Sequence, residues 1–130
     1  PEAEMTTRRV VLIADTGAED FGSMGMLLGS LSEAGAMTEL FTDGTAGLQS
    51  AVRGGTDLLI IDLDTPSLGG VEAMLEIGRI ASRIPVLLLA AEESRARRMW
   101  AVGEGVMGYV TKPFDGKVLV RFIAKALREI

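Results

Sequence analysis

The sequence G-V-M-G-Y-V-T-K-P-F at residues 105–114 carries the features that decide the fold. Its apolar part, Tyr109 to Thr111, predicts a short β-strand because aromatic and β-branched residues favour extended backbone. Lys112 follows directly, and Pro113 ends the run because proline has no N–H to donate to a sheet. The stretch therefore predicts a strand with an ammonium group at its carboxyl end.

Two earlier apolar runs are also followed by a charged residue. Asp15 comes after the run at residues 10–14, and Asp62 comes after the run at residues 58–61. Because the carboxyl ends of parallel strands form the ligand crevice of such a sheet, we expect both carboxylates and the Lys112 ammonium to converge there. This combination of charges favours a cation and an oxyanion, and phosphoryl chemistry is the natural candidate.

The composition is that of one ordinary globular domain. The chain has 130 residues, of which 48% are hydrophobic and 24% charged, a length that can bury its own core. The formal net charge of −5 argues against direct nucleic-acid binding. Cys and His are both absent, which excludes disulfides, thiol catalysis, imidazole bases and His- or Cys-ligated zinc.

Apolar periodicity predicts the organisation of the chain. Residues 1–7 are polar and begin with Pro rather than Met, so we expect a linker or tail and a chain excised from a longer protein, with one domain over 8–130. No apolar run is long enough to span a bilayer, which predicts no membrane partner and a cytoplasmic location. The predicted strands are residues 9–14, 37–42, 58–61, 85–90 and 109–111.

Five helices are predicted between and after these strands. The first opens at Thr16, which forms a capping box with Glu19, and the others cover 46–53, a segment after Gly70, 92–102 and a segment from Asp115 or Gly116. This alternation predicts an α/β fold, a doubly wound five-stranded parallel sheet with helices on both faces. The side chains expected to face the core are Phe21, Met24, Leu28, Leu31, Val71, Met74, Ile77, Val118, Leu119, Phe122, Ile123, Ala126 and Leu127.

The order of these motifs resembles the receiver domain of bacterial response regulators, the flavodoxin-like modules of two-component signalling. The matching features are Asp15 after the first strand, Asp62 after the third, Pro66 with Gly69-Gly70 before the third helix, and residues 105–114. The resemblance runs from Arg8 to Ile130.

The resemblance implies a site and a function. Asp62 would accept a phosphoryl group from a histidine kinase or phosphotransfer protein and relay it as a conformational change to an output domain or partner. Asp15, Asp62 and the backbone carbonyl of Asp64 would hold Mg²⁺. Lys112 would contact the phosphoryl oxygens, usually through a cis peptide to the following proline. The chemistry would be at most self-phosphorylation and autodephosphorylation, without metabolic turnover.

Two positions depart from the family pattern. Thr16 stands where a second acidic residue is usual, and it is either a poor Mg²⁺ ligand or only the helix cap. Ala90 stands where the family usually has Thr or Ser, whose hydroxyl binds the phosphoryl group and moves toward it, so that the aromatic residue of the fifth strand swings inward. Tyr109 therefore lacks the hydroxyl partner of this switch. Asp64 is a further source of carboxylate near the pocket. A degenerate pseudo-receiver, which binds a protein or ligand without phosphorylation, is therefore the alternative function.

The fourth predicted helix presents a group of arginines beside the single Trp. Arg95, Arg97, Arg98 and Trp100 lie on it, and Tyr109 would border it. The resemblance implies that this helix, the fifth strand and the fifth helix form the output surface or a homodimer interface. Arginines also suit acidic peptides or a cyclic dinucleotide. The other interpretation is a solvated basic face, with Met99 and also Trp100 as core residues.

Overall fold

Five apolar segments form one parallel sheet in the order β2-β1-β3-β4-β5. The strands of the computed structural model are β1 Arg8–Ile13, β2 Ala36–Phe41, β3 Leu58–Asp62, β4 Val86–Ala90 and β5 Gly108–Thr111. The structure describes residues 7–15, 21–68, 70–91 and 94–128. The strand order reverses direction beside β1, which makes the predicted doubly wound architecture correct.

The central strands are apolar on both sides because helices cover both faces of the sheet. Every residue of β3 and β4 is buried, as a parallel sheet enclosed by helices requires. The register places Ile13 beside Ile61, Asp62 beside Leu89 and Ala90 beside Thr111. The last residues of β1, β3, β4 and β5 therefore lie along one edge of the sheet.

Five α-helices pack on the sheet within the described ranges. They are α1 Phe21–Glu33, α2 Gly44–Val52, α3 Val71–Ala81, α4 Arg95–Gly103 and α5 Gly116–Arg128, with a short 3₁₀ turn at Pro66–Leu68. Leu27 and Leu31 of α1 share one core layer with Leu119 and Ile123 of α5. Buried residues of α2, α3 and α4 form the layer on the other face.

Two helix starts differ from the prediction because polar caps define them. The Asp43 carboxylate accepts a hydrogen bond from the Thr45 N–H, so α2 begins at Gly44 rather than at residue 46. The Ser94 hydroxyl accepts one from the Arg97 N–H, so α4 begins at Arg95 rather than at residue 92. The predicted capping box at Thr16 and Glu19 lies outside the described residues.

Several predicted core positions are wrong. Leu28 and Val118 are each 36% exposed, Met99 is 65% exposed and Val71 is 75% exposed. In α1 the buried face follows the four-residue step from Leu27 to Leu31, which turns Leu28 away from the sheet. Val71 is the first residue of α3, and the buried positions come later in that helix. The side chains of Phe21 and Met24 lie outside the described residues.

The described helices are short relative to a bilayer. None of them has the length and apolar character needed to cross a membrane, within the part of the chain that the structure describes.

Candidate functional site

Asp62 is the last residue of β3 and the buried centre of the site. It is only 2% exposed. A buried charged group is tolerated only with hydrogen-bonding or ionic partners, and Asp62 has two. Its Oδ1 accepts a hydrogen bond of 2.9 Å from the Asp64 N–H. Its Oδ2 accepts one of 2.8 Å from the Lys112 Nζ. A backbone donor and an ammonium group thus hold the two carboxylate oxygens of Asp62.

Lys112 comes to this carboxylate from two strands away. Its N–H donates to the Ala90 carbonyl oxygen at 2.7 Å, which extends the pairing of β4 with β5 by one residue. Its side chain is only 8% exposed, and the Lys112–Pro113 peptide is cis, the form that the family resemblance implied. The ammonium therefore lies at the sheet edge with most of its surface removed from water.

Burial raises the pKa of Asp62 above the ordinary range of an aspartate. The hydrogen bonds from Lys112 and from the Asp64 N–H act in the opposite direction, and the nearby Asp64 charge adds to the rise. The carboxylate is thus held in place without being fully compensated. Such a poorly solvated anion is a suitable nucleophile, because it gives up little hydration when it reacts.

The loop after Asp62 is fixed at both ends. The Leu63 N–H donates to the Leu89 carbonyl oxygen at 2.8 Å, and the Thr65 N–H donates to the Asp62 carbonyl oxygen at 3.1 Å. Further along, the Ser67 hydroxyl accepts from the Gly44 N–H at 2.7 Å, which ties the loop to α2. The backbone of Asp64 is thereby held close to the Asp62 carboxylate.

Asp64 contributes its side chain to the site as well. Its Oδ2 accepts a hydrogen bond of 2.7 Å from the Ala91 N–H and lies 3.3 Å from the Lys112 Nζ. The sequence indicated a carboxylate near the pocket, and the structure places it there. The bond to Ala91 was not predicted, because it depends on the side-chain conformation of Asp64 rather than on any spacing in the sequence.

Asp15 lies at the same sheet edge and is exposed. It comes two residues after Ile13, which pairs with Ile61 in β3. The neighbouring Ala14 N–H donates to the Phe41 carbonyl oxygen at 2.9 Å, so the backbone stays in line with the strand up to this point. Thr16, the position that departs from the family pattern, lies outside the described residues.

The donor set at this edge fits a magnesium ion in its chemistry. Asp15 and Asp62 offer carboxylate oxygens and Asp64 offers a backbone carbonyl, all of them the hard oxygen ligands that Mg²⁺ prefers, with the other positions left to water. Each Asp62 oxygen makes one of the hydrogen bonds given above and keeps a further acceptor site. Within the described ranges, no three acidic side chains already form a metal-binding group.

The site continues along the sheet edge without a hydroxyl at the end of β4. Ala90 is fully buried there and pairs with Thr111. Tyr109 is 6% exposed, and the Arg98 guanidinium carbon lies 4.9 Å from the centre of its ring, which is a cation–π contact. The cation–π contact places Tyr109 of β5 against Arg98 of α4.

The other predicted residues of α4 differ in burial. Trp100 is partly buried and packs against the core layer on this face of the sheet, whereas Arg95 is exposed.

The sequence matches one protein family and is similar to transcriptional regulatory proteins of two bacteria. The family "Response regulator receiver domain" matches residues 11–124. The transcriptional regulatory protein YkoG of Bacillus subtilis is 37% identical over 87 residues, which are 67% of this chain and 38% of that protein. CseB of Streptomyces coelicolor, also a transcriptional regulatory protein, is 35% identical over 99 residues, 76% of this chain and 42% of that protein. The chain thus spans about two fifths of the length of these relatives.

Solved structures show the same fold. A CheY-like receiver domain from Methanospirillum hungatei has a TM-score of 0.75 at 17% identity and covers 95% of this chain and 96% of its own. The receiver domain of Saccharomyces cerevisiae Ssk1, crystallised with the histidine phosphotransfer protein Ypd1, has a TM-score of 0.71 at 21% identity and covers 92% and 88%. At these identities the likeness establishes the fold.

Proposed function

Since the chain belongs to the response regulator receiver domain family, we propose that Asp62 is its phosphoacceptor and that the domain relays phosphorylation in two-component signalling. The observation that carries this proposal is the 2.8 Å contact between the Lys112 ammonium and the Asp62 carboxylate, both almost fully buried at the carboxyl edge of the sheet. A nucleophile and a cation fixed together are what phosphoryl transfer requires.

The proposed reaction balances with the residues at this edge. An Asp62 carboxylate oxygen forms a bond to phosphorus, and the bond from phosphorus to the donor breaks. The donor departs with the electron pair: a histidine nitrogen for a kinase or phosphotransfer protein, acetate for acetyl phosphate. Lys112 stays within hydrogen-bond reach and offsets the charge on the phosphoryl oxygens.

The metal is part of the proposal. Receiver domains as a family use Mg²⁺ at the phosphorylation site, and here Asp15, Asp62 and the Asp64 carbonyl would hold it. When bound, the ion supplies positive charge next to the phosphoryl oxygens. With Thr16 in place of a second acid, the site has one negative charge fewer, so Thr16→Asp is expected to tighten Mg²⁺ binding severalfold in calorimetric titration. Unchanged affinity would show that Thr16 has no part in the metal site.

The output surface is proposed from the contacts of Tyr109. Arg98 stacks on Tyr109, and Trp100 packs against the same core layer as Tyr109. Ala90 offers no hydroxyl to draw the ring toward a phosphoryl group. We propose that α4, β5 and α5, with Arg95 at their margin, contact the output domain, a partner or a second copy of the domain. The signal would pass through a route other than the usual Thr–Tyr pair.

The surroundings of the domain are also proposals. Its relatives are longer transcriptional regulators, so we propose that residues 8–130 form the receiver of a longer cytoplasmic protein, with residues 1–7 as a tail or linker. A histidine kinase or phosphotransfer protein would be the phosphodonor, as the structure of Ssk1 with Ypd1 illustrates for that protein.

The experiment is intact-mass spectrometry of the chain incubated with acetyl phosphate and Mg²⁺. We expect the addition of one phosphoryl group to the wild type and none to Asp62→Ala. An unmodified wild type at saturating donor and Mg²⁺ would contradict the proposal and favour a pseudo-receiver that works by binding alone.

A further inference from the structure

One oxygen of the Asp64 carboxylate lies where two donors suited to an oxyanion converge. The Asp64 Oδ2 accepts the Ala91 N–H at 2.7 Å and lies 3.3 Å from the Lys112 Nζ. A main-chain N–H and an ammonium that converge on one oxygen form the donor set that proteins use for a developing anion. This position is next to the nucleophile, because the same Nζ lies 2.8 Å from the Asp62 Oδ2.

The Lys112 ammonium therefore contacts the Asp62 and Asp64 carboxylates at the same time. The Asp62 and Asp64 carboxylates carry two negative charges against its single positive charge, and the Asp64 charge contributes to the raised pKa of Asp62. A phosphoryl group that reaches Asp62 adds further negative charge at the same place. It would need the Lys112 ammonium and a nearby N–H, and Asp64 holds both.

Asp64 is also placed so that it can leave. Its side chain is 39% exposed, whereas those of Asp62 and Lys112 are 3% and 8% exposed. The Asp64 carboxylate is already partly hydrated, so water can replace its contacts with the Ala91 N–H and the Lys112 ammonium. The contact is thus reversible in a way that the Asp62–Lys112 pair is not.

We propose that the Asp64 carboxylate is an internal competitor of the phosphoryl group, which occupies the Ala91 N–H and the Lys112 ammonium until the phosphoryl oxygens displace it. This inference rests on the proposed phosphorylation of Asp62. It makes Asp64 an autoinhibitory residue that lowers the rate at which small phosphodonors react.

The test compares rates of phosphorylation by acetyl phosphate, followed by intact mass, at saturating Mg²⁺ so that metal affinity does not limit the rate. Asp64→Asn removes the charge but keeps an oxygen that can accept the Ala91 N–H, and Asp64→Ala removes both. We expect Asp64→Asn to react at least about fivefold faster than the wild type, because one like charge near the incoming group is lost. Asp64→Ala should be at least as fast.

Two comparison variants separate competition from general effects. Asp64→Glu keeps the charge and is expected to react more slowly than Asp64→Asn. Glu33→Gln makes the same charge change at the end of α1, at the opposite edge of the sheet, and should leave the rate unchanged. Melting temperatures of all variants show whether a slower rate comes from lost folding.

Each outcome decides the matter. Faster reaction of Asp64→Asn and Asp64→Ala than of a phosphorylated wild type, with Glu33→Gln unchanged, supports the competitor. A wild type that is phosphorylated while both folded variants are no faster overturns it and leaves the proposed function intact. An equal gain in Glu33→Gln overturns it as well. If no variant reacts, the proposed function falls together with it.

Discussion

The buried pair of Asp62 and Lys112 makes a strong prediction about stability. Lys112→Met keeps most of the apolar stem of the side chain and removes the ammonium that lies 2.8 Å from the Asp62 Oδ2. Removing one partner of a buried ion pair costs about 3–5 kcal/mol, because the other charge stays buried without compensation. The Asp64 N–H still donates to Asp62, so we expect the lower end, about 3 kcal/mol, at neutral pH.

The same variant should recover part of this loss in mild acid. Burial already raises the pKa of Asp62, and the hydrogen bond from Lys112 is the main influence that lowers it. Without the ammonium the pKa rises further, so a proton neutralises Asp62 as the pH falls and removes the uncompensated charge. The loss relative to the wild type is therefore expected to shrink toward acid pH.

Urea denaturation followed by circular dichroism, in the presence of EDTA, measures both effects. The matched control is Arg79→Met, which breaks the exposed ion pair with Glu76 on α3 and should cost less than about 0.5 kcal/mol. The double variant Asp62→Asn/Lys112→Met should lose less than the sum of the single variants, because no carboxylate is left unpaired at Asp62. A loss from Lys112→Met no larger than that of the control, or a loss that does not depend on pH, would refute the reasoning.

Two further predictions concern titration and packing. Folding raises the pKa of Asp62, so the contribution of this residue to stability is present at acid pH and is lost as the pH rises through the raised value. Asp62→Asn should therefore remove this part of the pH dependence of the unfolding free energy, measured in EDTA. An unchanged pH profile would contradict the prediction. Gly47→Ala places a Cβ against the Ile13 side chain and should lower the unfolding free energy by about 1–3 kcal/mol in urea denaturation. The Cβ of Gly25→Ala meets nothing within 4 Å, so this control should be neutral or stabilising. Equal effects of the two variants would contradict the packing of α2 on β1.

Apolar periodicity and the residues at the strand ends were enough to predict that Asp62 and Lys112 lie close together. The placement of Asp62 and Lys112 follows from apolar runs that end at a charged residue, since parallel strands bring such ends together. The order of the strands does not follow from periodicity, and the structure supplies it. The metal and output roles of Asp15, Tyr109, Arg98 and Trp100 stay predictions.

Side-chain details lay beyond the sequence. The contact of Asp64 with the Ala91 N–H depends on a side-chain conformation, which residue spacing does not specify. The exposure of Val71 and Met99 depends on the rotation of short helices about their axes, and nine or eleven residues with scattered apolar positions leave that rotation open.

Chemical trapping of the phosphorylated residue tests the central claim most directly. Borohydride reduces an aspartyl phosphate to homoserine, so the chain is treated with acetyl phosphate and Mg²⁺, reduced, digested and mapped by tandem mass spectrometry. Phosphorylation at the buried carboxylate beside Lys112 predicts homoserine in place of Asp62 alone, and only when donor and Mg²⁺ are both present. Homoserine in place of Asp15 or Asp64, or none in a chain that gains the mass of a phosphoryl group, would contradict Asp62 as the phosphoacceptor.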